Sequence, residues 1–185
     1  MASKSSFLKE YFKNKKMVGA VSPSTRFLGE KMLENIDFDH VKHIIELGPG
    51  TGVFTDIMIE RMRKDAKLLV FELNDEFYEA LSKRIDDPRV QIIHDSAANV
   101  GNYLSPEEAT NQDVVVSSLP LMVFSDELRS AVVRASHATL KSSGHYVQFQ
   151  YSLQSKKFLE SIFKTVSVKF TIKNFPPAFV YTCRK

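Results

Sequence analysis

Between residues 46 and 52 the chain reads Glu46-Leu47-Gly48-Pro49-Gly50-Thr51-Gly52, three glycines at alternate positions behind an acid. Glycine reaches backbone conformations closed to other residues, so such a run can turn sharply and bring main chain close to a ligand. The G-x-G-x-G spacing differs from the G-x-G-x-x-G of dinucleotide-binding loops. Glu72 lies 24 residues after Gly48, near the roughly 20-residue offset at which an acid reaches a ribose diol, and one carboxylate can accept both hydroxyls. Asp95-Ser96-Ala97 is a third candidate, either a ligand contact or a plain turn and cap, a role Asp favours in any case. These groups are suited to holding a nucleoside.

Such groups need a scaffold that brings them to one edge. From residue 40 onward, short apolar runs alternate with helical patterns, as in an α/β sheet. Strands are expected at 43–47, 67–73, 90–94, 113–117 and 145–151. A helix follows the glycine loop, with Val53, Phe54, Ile57, Met58 and Met62 inward. Asn74 should cap the next, with Asp75 and Glu76 in its first turn. Ser125-Asp126-Glu127 opens a helix expected to end near Lys141 with Gly144 just beyond, and 154–164 reads as the last helix. Closing strands at 166–173 and 178–183 flank Asn174-Phe175-Pro176-Pro177, a link too short for a helical crossover, so they should be antiparallel. Two helices are expected before the sheet. One covers 5–16; the other starts at Ser22-Pro23 and buries Phe27, Leu28, Met32, Leu33 and Ile36. In an open sheet of this kind, ligands bind outside the carboxyl ends of the strands.

The 185 residues, 43% hydrophobic and 25% charged, suggest one soluble globular domain, with 1–38 as a helical lid or membrane-interacting segment and 39–185 as the core. Cys183 is the only cysteine, so no intrachain disulfide or cysteine zinc cluster is possible. His94, His137 and His145 lack metal-ligand spacing and read as structural, with His145 kept in reserve as a base. No run near the start is apolar enough for a signal peptide or a span, which leaves peripheral contact as the expected route to a membrane. A net charge of +3 is too mild to point to nucleic acid. Lys4, Lys9, Lys13, Lys15 and Lys16 crowd the start against Glu10 alone. Phe7, Leu8, Tyr11 and Phe12 share a helical face opposite Lys9, Lys13 and Lys16. That pattern fits an interfacial helix drawn to anionic lipid, or a lid over the site with solvated lysines.

The E-x-G-x-G-x-G stretch and the parallel sheet with an antiparallel end resemble class I S-adenosylmethionine-dependent methyltransferases, a Rossmann-like fold. Four further stretches narrow the likeness: GAVSPSTR (19–26), SSLPLMVF (117–124), VQFQY (147–151) and NFPPAFVY (174–181). With the glycine loop, and from about residue 7 to the end, the chain is similar to bacterial phospholipid N-methyltransferases, which methylate phosphatidylethanolamine. Departures are Ser118, where that family more often has glycine, and Gln150, where it has threonine.

The resemblance implies S-adenosylmethionine as cofactor and a cytoplasmic protein on the inner face of the membrane. Cofactor contacts would come from Glu46, Gly48, Gly50 and Gly52, from Glu72 and Leu73, from Asp95, Ser96 and Ala97, and from Ser117. The acceptor side would use Ser118 and Pro120, with Leu119 beside them and Tyr151 facing the head group or simply packing. Tyr11, Ser22 and Ser24 would border the substrate. Arg26 would hold a lipid phosphate or the cofactor carboxylate, or stay a solvated surface charge. A rival likeness is to ribosomal RNA adenine dimethyltransferases, which usually carry Asn-Leu-Pro-Tyr after the fourth strand. This chain has Ser118-Leu119-Pro120-Leu121 there, and 185 residues leave no room for their helical C-terminal domain. A cofactor-binding protein of the same fold without activity is the rival from another class. The sequence sets no oligomeric state.

Overall fold

The computed structural model describes residues 25–185; the 5–16 helix and the expectations for Tyr11, Ser22 and Ser24 lie outside them. Helix α1 (Arg26–Leu33) leads into β1 (His43–Leu47), α2 (Val53–Arg61), β2 (Lys67–Phe71), α3 (Asp75–Arg84) and β3 (Val90–Ile93). A 3-10 segment (Ala97–Tyr103), β4 (Gln112–Ser117), a second 3-10 turn (Leu121–Val123), α4 (Asp126–Thr139), β5 (Leu140–Gln150), α5 (Lys156–Glu160), β6 (Thr165–Thr171) and β7 (Ala178–Arg184) complete the chain. The seven strands lie in the order β3-β2-β1-β4-β5-β7-β6. β1 to β5 run parallel, and β7 is antiparallel to both β5 and β6. This is the mixed Rossmann-like sheet expected from sequence.

Central strands buried on both faces read as continuous apolar runs, and all six residues of β4 are buried. Alternate residues then sort into two cores. Ile44, Val70, Val114 and Val147 face α1 and α2, where Leu28, Met32, Phe54 and Ile57 close over them. Ile45, Leu47, Val115 and Tyr146 face α4, through Leu128, Val132 and Val133, and the segment after α5, through Phe163. Cys183, in β7, belongs to this second core; it is fully buried, and burial pushes its thiol up to about 12.

Side-chain caps fix where the helices start. Asn74 Oδ1 accepts from the Phe77 N–H at 2.9 Å, and Ser125 Oγ from the Leu128 N–H at 3.3 Å. α1 starts later than expected. Its cap is Thr25, whose Oγ1 accepts from the Leu28 N–H at 3.2 Å. Phe27, expected in the core, is instead 62% exposed. α4 stops at Thr139 and β5 begins at once, so Gly144 lies inside a strand and is not a helix cap. The β4–β5 register shifts between Gln112 and Val114, and a Cβ on Gly144 would stand 2.9 Å from the Gln112 carbonyl oxygen. The glycine is there for that close approach. α5 is shorter than the expected 154–164: the Ser161 hydroxyl donates to the Phe158 carbonyl at 2.7 Å, a local bond that competes with continued helix.

Asp113 ties the lower edge of the sheet together. Its Oδ2 accepts from the backbone N–H groups of Lys42 at 2.8 Å and His43 at 2.9 Å, and Lys141 pairs with Oδ1. Burial pushes this carboxyl up, but the Lys141 charge and the two N–H donors outweigh it and hold it below its ordinary value. A depressed carboxyl stabilises the fold above the unfolded pKa and loses that contribution as pH falls through the folded one. Asp113→Asn should therefore lower stability at pH 7 by about 2–4 kcal/mol. In urea melts, the gap to wild type should narrow once pH drops below about 4.

Candidate active site

The chain runs outward from β1 through β2 to β3, then returns to lay β4 on the other side of β1. That reversal leaves a crevice at the carboxyl ends of β1 and β4, the usual ligand position in such sheets. Two bonds fix the strand ends around it. The Gly48 N–H donates to the Phe71 carbonyl at 2.9 Å, and the Ser118 N–H donates to the Leu47 carbonyl at 2.9 Å. The glycine loop and the Ser118–Leu121 loop thus leave the sheet side by side.

Gly48, Gly50 and Gly52 all have positive φ, at 68°, 59° and 84°. At Gly48 the demand is also steric, since a Cβ would stand 2.5 Å from Leu119 Cδ2. At Gly50 a Cβ would meet nothing within 4 Å, so the main chain there is open to a ligand. Glu72 is buried beneath it: Oε2 accepts from the Gly50 N–H at 3.1 Å and Oε1 from the Asn74 N–H at 2.8 Å. One carboxylate therefore sets the spacing between the glycine loop and the start of α3. A carboxylate accepts more hydrogen bonds than any neutral side chain, the property that a ribose diol calls for.

A narrow cleft opens here, walled by Gly48, Glu72, Leu73, Asp95, Ala97 and Leu119 among others. Asp95 is held in place by its neighbours. It accepts from the Ser96 N–H at 2.6 Å, from the Asn99 amide at 3.0 Å and from the Tyr103 hydroxyl at 2.8 Å. Burial alone would raise its pKa, but these bonds and nearby His94 bring it below the ordinary value. The group is held as a carboxylate at the wall of the cleft. Ser96 caps the 3-10 segment by accepting from the Ala98 N–H. The sequence reading missed Phe71, Phe124 and Val132 as further walls; Phe124 lies in the SSLPLMVF stretch, but nothing in its spacing marks it as a ligand contact.

Other expected residues are not among its walls. Glu46 is fully buried; its Oε2 accepts from the Thr55 hydroxyl at 2.6 Å, and Oε1 has no hydrogen-bond partner among the described residues. Burial raises its pKa from 4.5 to about 8, against the Thr55 bond and with the charges of Glu72 and Asp56 adding to the rise. Ser117 is buried and its Oγ accepts from the Leu119 N–H at 3.4 Å, a bond within the loop. Ser118 Oγ is buried without a partner among the described residues. The Leu119 carbonyl accepts from both the Gln148 and the Gln150 amides at 3.0 Å, and Pro120 caps the following turn. Tyr151 follows β5, 37% exposed and edge-on to Phe149.

Arg26 is not a cleft residue: its guanidinium pairs with Glu60 of α2 at 2.5 Å and with Glu30 at 3.5 Å on the outer surface. Helical spacing could not show that α2 brings an acid within its reach. His145 is also ruled out as a base at this site. It pairs in register with Val114 at the start of the parallel run, whereas the cleft lies past Ser117.

The donors and walls fit S-adenosylmethionine. Glu72 would hold the ribose diol, Leu73, Ala97 and Phe124 the faces of the adenine, and Asp95 an exocyclic amine. When bound, this cofactor supplies a methyl group on a positively charged sulfur. Gly48→Ala should weaken cofactor binding at least about tenfold by calorimetry, because it adds both a forbidden backbone region and a clash with Leu119. Glu72→Gln should weaken it about 10- to 100-fold, because one amide face cannot accept all the donors the carboxylate takes. Glu46 gives a pH prediction. A raised carboxyl favours the fold below the unfolded pKa, and that contribution is lost as pH rises through the folded pKa. Stability of the free protein should thus fall between about pH 4.5 and 8, and Glu46→Gln, which mimics the protonated acid, should flatten that decline.

Comparison with known proteins gives this geometry a family. A protein of Singulisphaera acidiphila named ornithine lipid N-methyltransferase is 27% identical over 180 residues, 96% of this chain and 94% of its own length. Ribosomal RNA small subunit methyltransferase A of Dehalococcoides mccartyi is 31% identical over 103 residues, 54% of this chain but 33% of its own length. The crystal structure of 1,6-didemethyltoxoflavin-N1-methyltransferase from Burkholderia thailandensis, solved with S-adenosylhomocysteine, superposes with a TM-score of 0.73 at 14% identity. That match covers 100% of this chain and 91% of the other. The family model for ribosomal RNA adenine dimethylases matches residues 3–168, and with it the chain belongs to that family and is an S-adenosylmethionine-dependent methyltransferase.

Proposed function

We propose that the protein methylates the amine of a membrane-lipid head group, with phosphatidylethanolamine as the first acceptor to test and an ornithine lipid as the second. The acceptor loop carries this reading. None of Ser118, Leu119, Pro120 and Leu121 has an amide or an aromatic ring. The two amides that reach the loop, Gln148 and Gln150, both donate to the Leu119 carbonyl. An enzyme acting on a base in RNA must take it out of the stack and hold it by its edge and its face; this loop is poor in both kinds of group. Near end-to-end similarity to an ornithine lipid N-methyltransferase supports the same reading.

Methyl transfer from sulfur to nitrogen is a displacement in line, so the protein's main task is to hold the amine opposite the methyl and keep the site closed. The amine must first lose a proton. Burial raises the Tyr151 hydroxyl above its ordinary value, against a hydrogen bond with Asn174, so near neutrality it is a phenol and not a phenolate base. Its part in this reading is to set a ring and an oxygen dipole beside the ammonium that forms, while the proton leaves to solvent. Attachment to the cytoplasmic face of the membrane through the lysine-bearing apolar helix of residues 5–16 belongs to the same proposal, and rests on spacing alone.

The reading favoured by the family description and by the Dehalococcoides relative is methylation of adenine in ribosomal RNA. One assay separates the two. Full-length protein would be incubated with radiolabelled S-adenosylmethionine and, in parallel, vesicles of phosphatidylethanolamine with phosphatidylglycerol, vesicles with ornithine lipid, and ribosomal RNA. Label in a lipid head group is the expected result. Label in RNA alone, or in none of the three by a protein that binds cofactor, overturns the proposal. In the lipid assay Tyr151→Phe should keep most of kcat and Tyr151→Ala should lose about tenfold or more.

A further inference from the structure

The turn between β6 and β7 carries its largest apolar side chains on the outside. Ile172 is 76% and Phe175 85% exposed, the two highest values among the large hydrophobic residues described. They are not isolated. Lys173 lies over the Phe27 ring, 5.9 Å from its centroid, and Phe27 is itself 62% exposed. The Thr25 hydroxyl donates to Asn174 Oδ1 at 3.0 Å, and the Asn174 amide donates to the Pro176 carbonyl at 2.8 Å. The N-terminus of α1 and the hairpin turn thus form one surface, with Phe27, Ile172 and Phe175 around a single lysine. Scattered exposed apolar residues are ordinary, but a contiguous group at the tip of a protruding hairpin marks an interaction surface.

Two observations say what covers it. The first is charge. Residues 151–185 contain seven Lys or Arg and one acid, Glu160, whereas the whole chain carries a net charge of only +3. Between Ser161 and Lys185 there is no acid at all. Lys169 is engaged by Glu34 at 2.6 Å, whereas Lys173, at the tip, has an aromatic ring as its neighbour. Lys164, Arg184 and Lys185 belong to the other end of the hairpin, where Thr165 pairs with Arg184; at the tip itself, apolar side chains grouped around Lys173 match an anionic bilayer, where rings and aliphatic chains enter the interface while a lysine head stays at the phosphates. The second is position. Asn174 acts on the Tyr151 hydroxyl, lowering its pKa against the effect of burial, Tyr151 directly follows Gln150, and Gln150 holds the Leu119 carbonyl at the cleft. The surface therefore adjoins the acceptor side of the site.

We infer that the β6–β7 turn, with Phe27 beside it, is a bilayer-docking surface that seats the cleft on anionic membrane by inserting Ile172 and Phe175. This rests on the lipid-amine reading for its purpose, but the binding is measurable without it. Its residues are distinct in sequence from 5–16.

The test is cosedimentation of the full chain with vesicles of phosphatidylethanolamine and phosphatidylglycerol. Ile172→Ser with Phe175→Ser should reduce partition at least about tenfold, since each apolar side chain withdrawn from water contributes on that scale or more. Lys173→Glu should reduce it on anionic vesicles and change little on neutral ones. Thermal melts and cofactor affinity of each variant should match wild type, since these side chains are exposed and none of them lines the cleft. On a short-chain amino-lipid below its micelle concentration the variants should keep wild-type kcat, while KM for vesicle lipid rises. Unchanged partition of the folded double variant overturns the inference, as does a wild-type protein that ignores vesicles, which would leave the turn to a protein partner. If partition falls as expected but no lipid is methylated even by wild type, the docking surface stands and the lipid-amine reading falls.

Discussion

A Cβ at position 48 would stand 2.5 Å from Leu119 Cδ2, so the loops that follow β1 and β4 can lie together only because that carbon is missing. The rest of the site is arranged around this close approach. Leu119 becomes a wall of the cleft, and its carbonyl is then drawn back into the protein by two glutamines of β5. On the opposite side Glu72 binds the Gly50 and Asn74 N–H groups, so the loop is fixed from below as well as from the side. Backbone positions in a sparsely populated region persist only where the surroundings over-determine them, and both sets of contacts supply that constraint.

Two carboxyls near the loop, one partly exposed and one fully buried, have different environments. Asp95 is surrounded by donors and stays ionised below its ordinary range. Glu46 has one hydroxyl donor, two acidic neighbours and full burial, and is pushed up to about 8. The difference assigns them different work: Asp95 can accept a bond from a ligand, whereas Glu46 sits behind the loop and steadies Thr55 at the start of α2. Charge is divided on a larger scale as well: the final 35 residues hold a single acid, Glu160, against seven Lys or Arg, and the other acids all precede them.

Most of the sheet was legible because its signals are local. Continuous apolar runs mark the parallel strands, Asn74 and Ser125 mark helix starts, and the Asn174–Pro177 link forces an antiparallel pair. The glycine loop, Glu72 and Asp95 were legible because their spacing is set by the fold itself. What escaped was decided by partners far away in sequence. Arg26 faces Glu60 on the next helix, Phe27 faces solvent beside Lys173, and Gly144 meets the Gln112 carbonyl across a strand pair. Phe124, just after the second 3-10 turn, and Val132, in α4, line the cleft together with residues from β2 and from the segment after β3. No periodicity within a single element carries that information.

The lone cysteine has a practical consequence. Cys183 lies in the inner strand β7 with no exposed surface and a thiol whose pKa is about 12. Thiolate is the reactive form toward alkylating reagents and oxidants, so near neutrality this sulfur is chemically silent for as long as the fold is intact. The native chain is thus already a clean background for site-directed labelling: a cysteine introduced anywhere on the surface would be its one reactive thiol. Conversely, modification of Cys183 itself would report opening of the sheet, which makes this residue a built-in sensor of global unfolding.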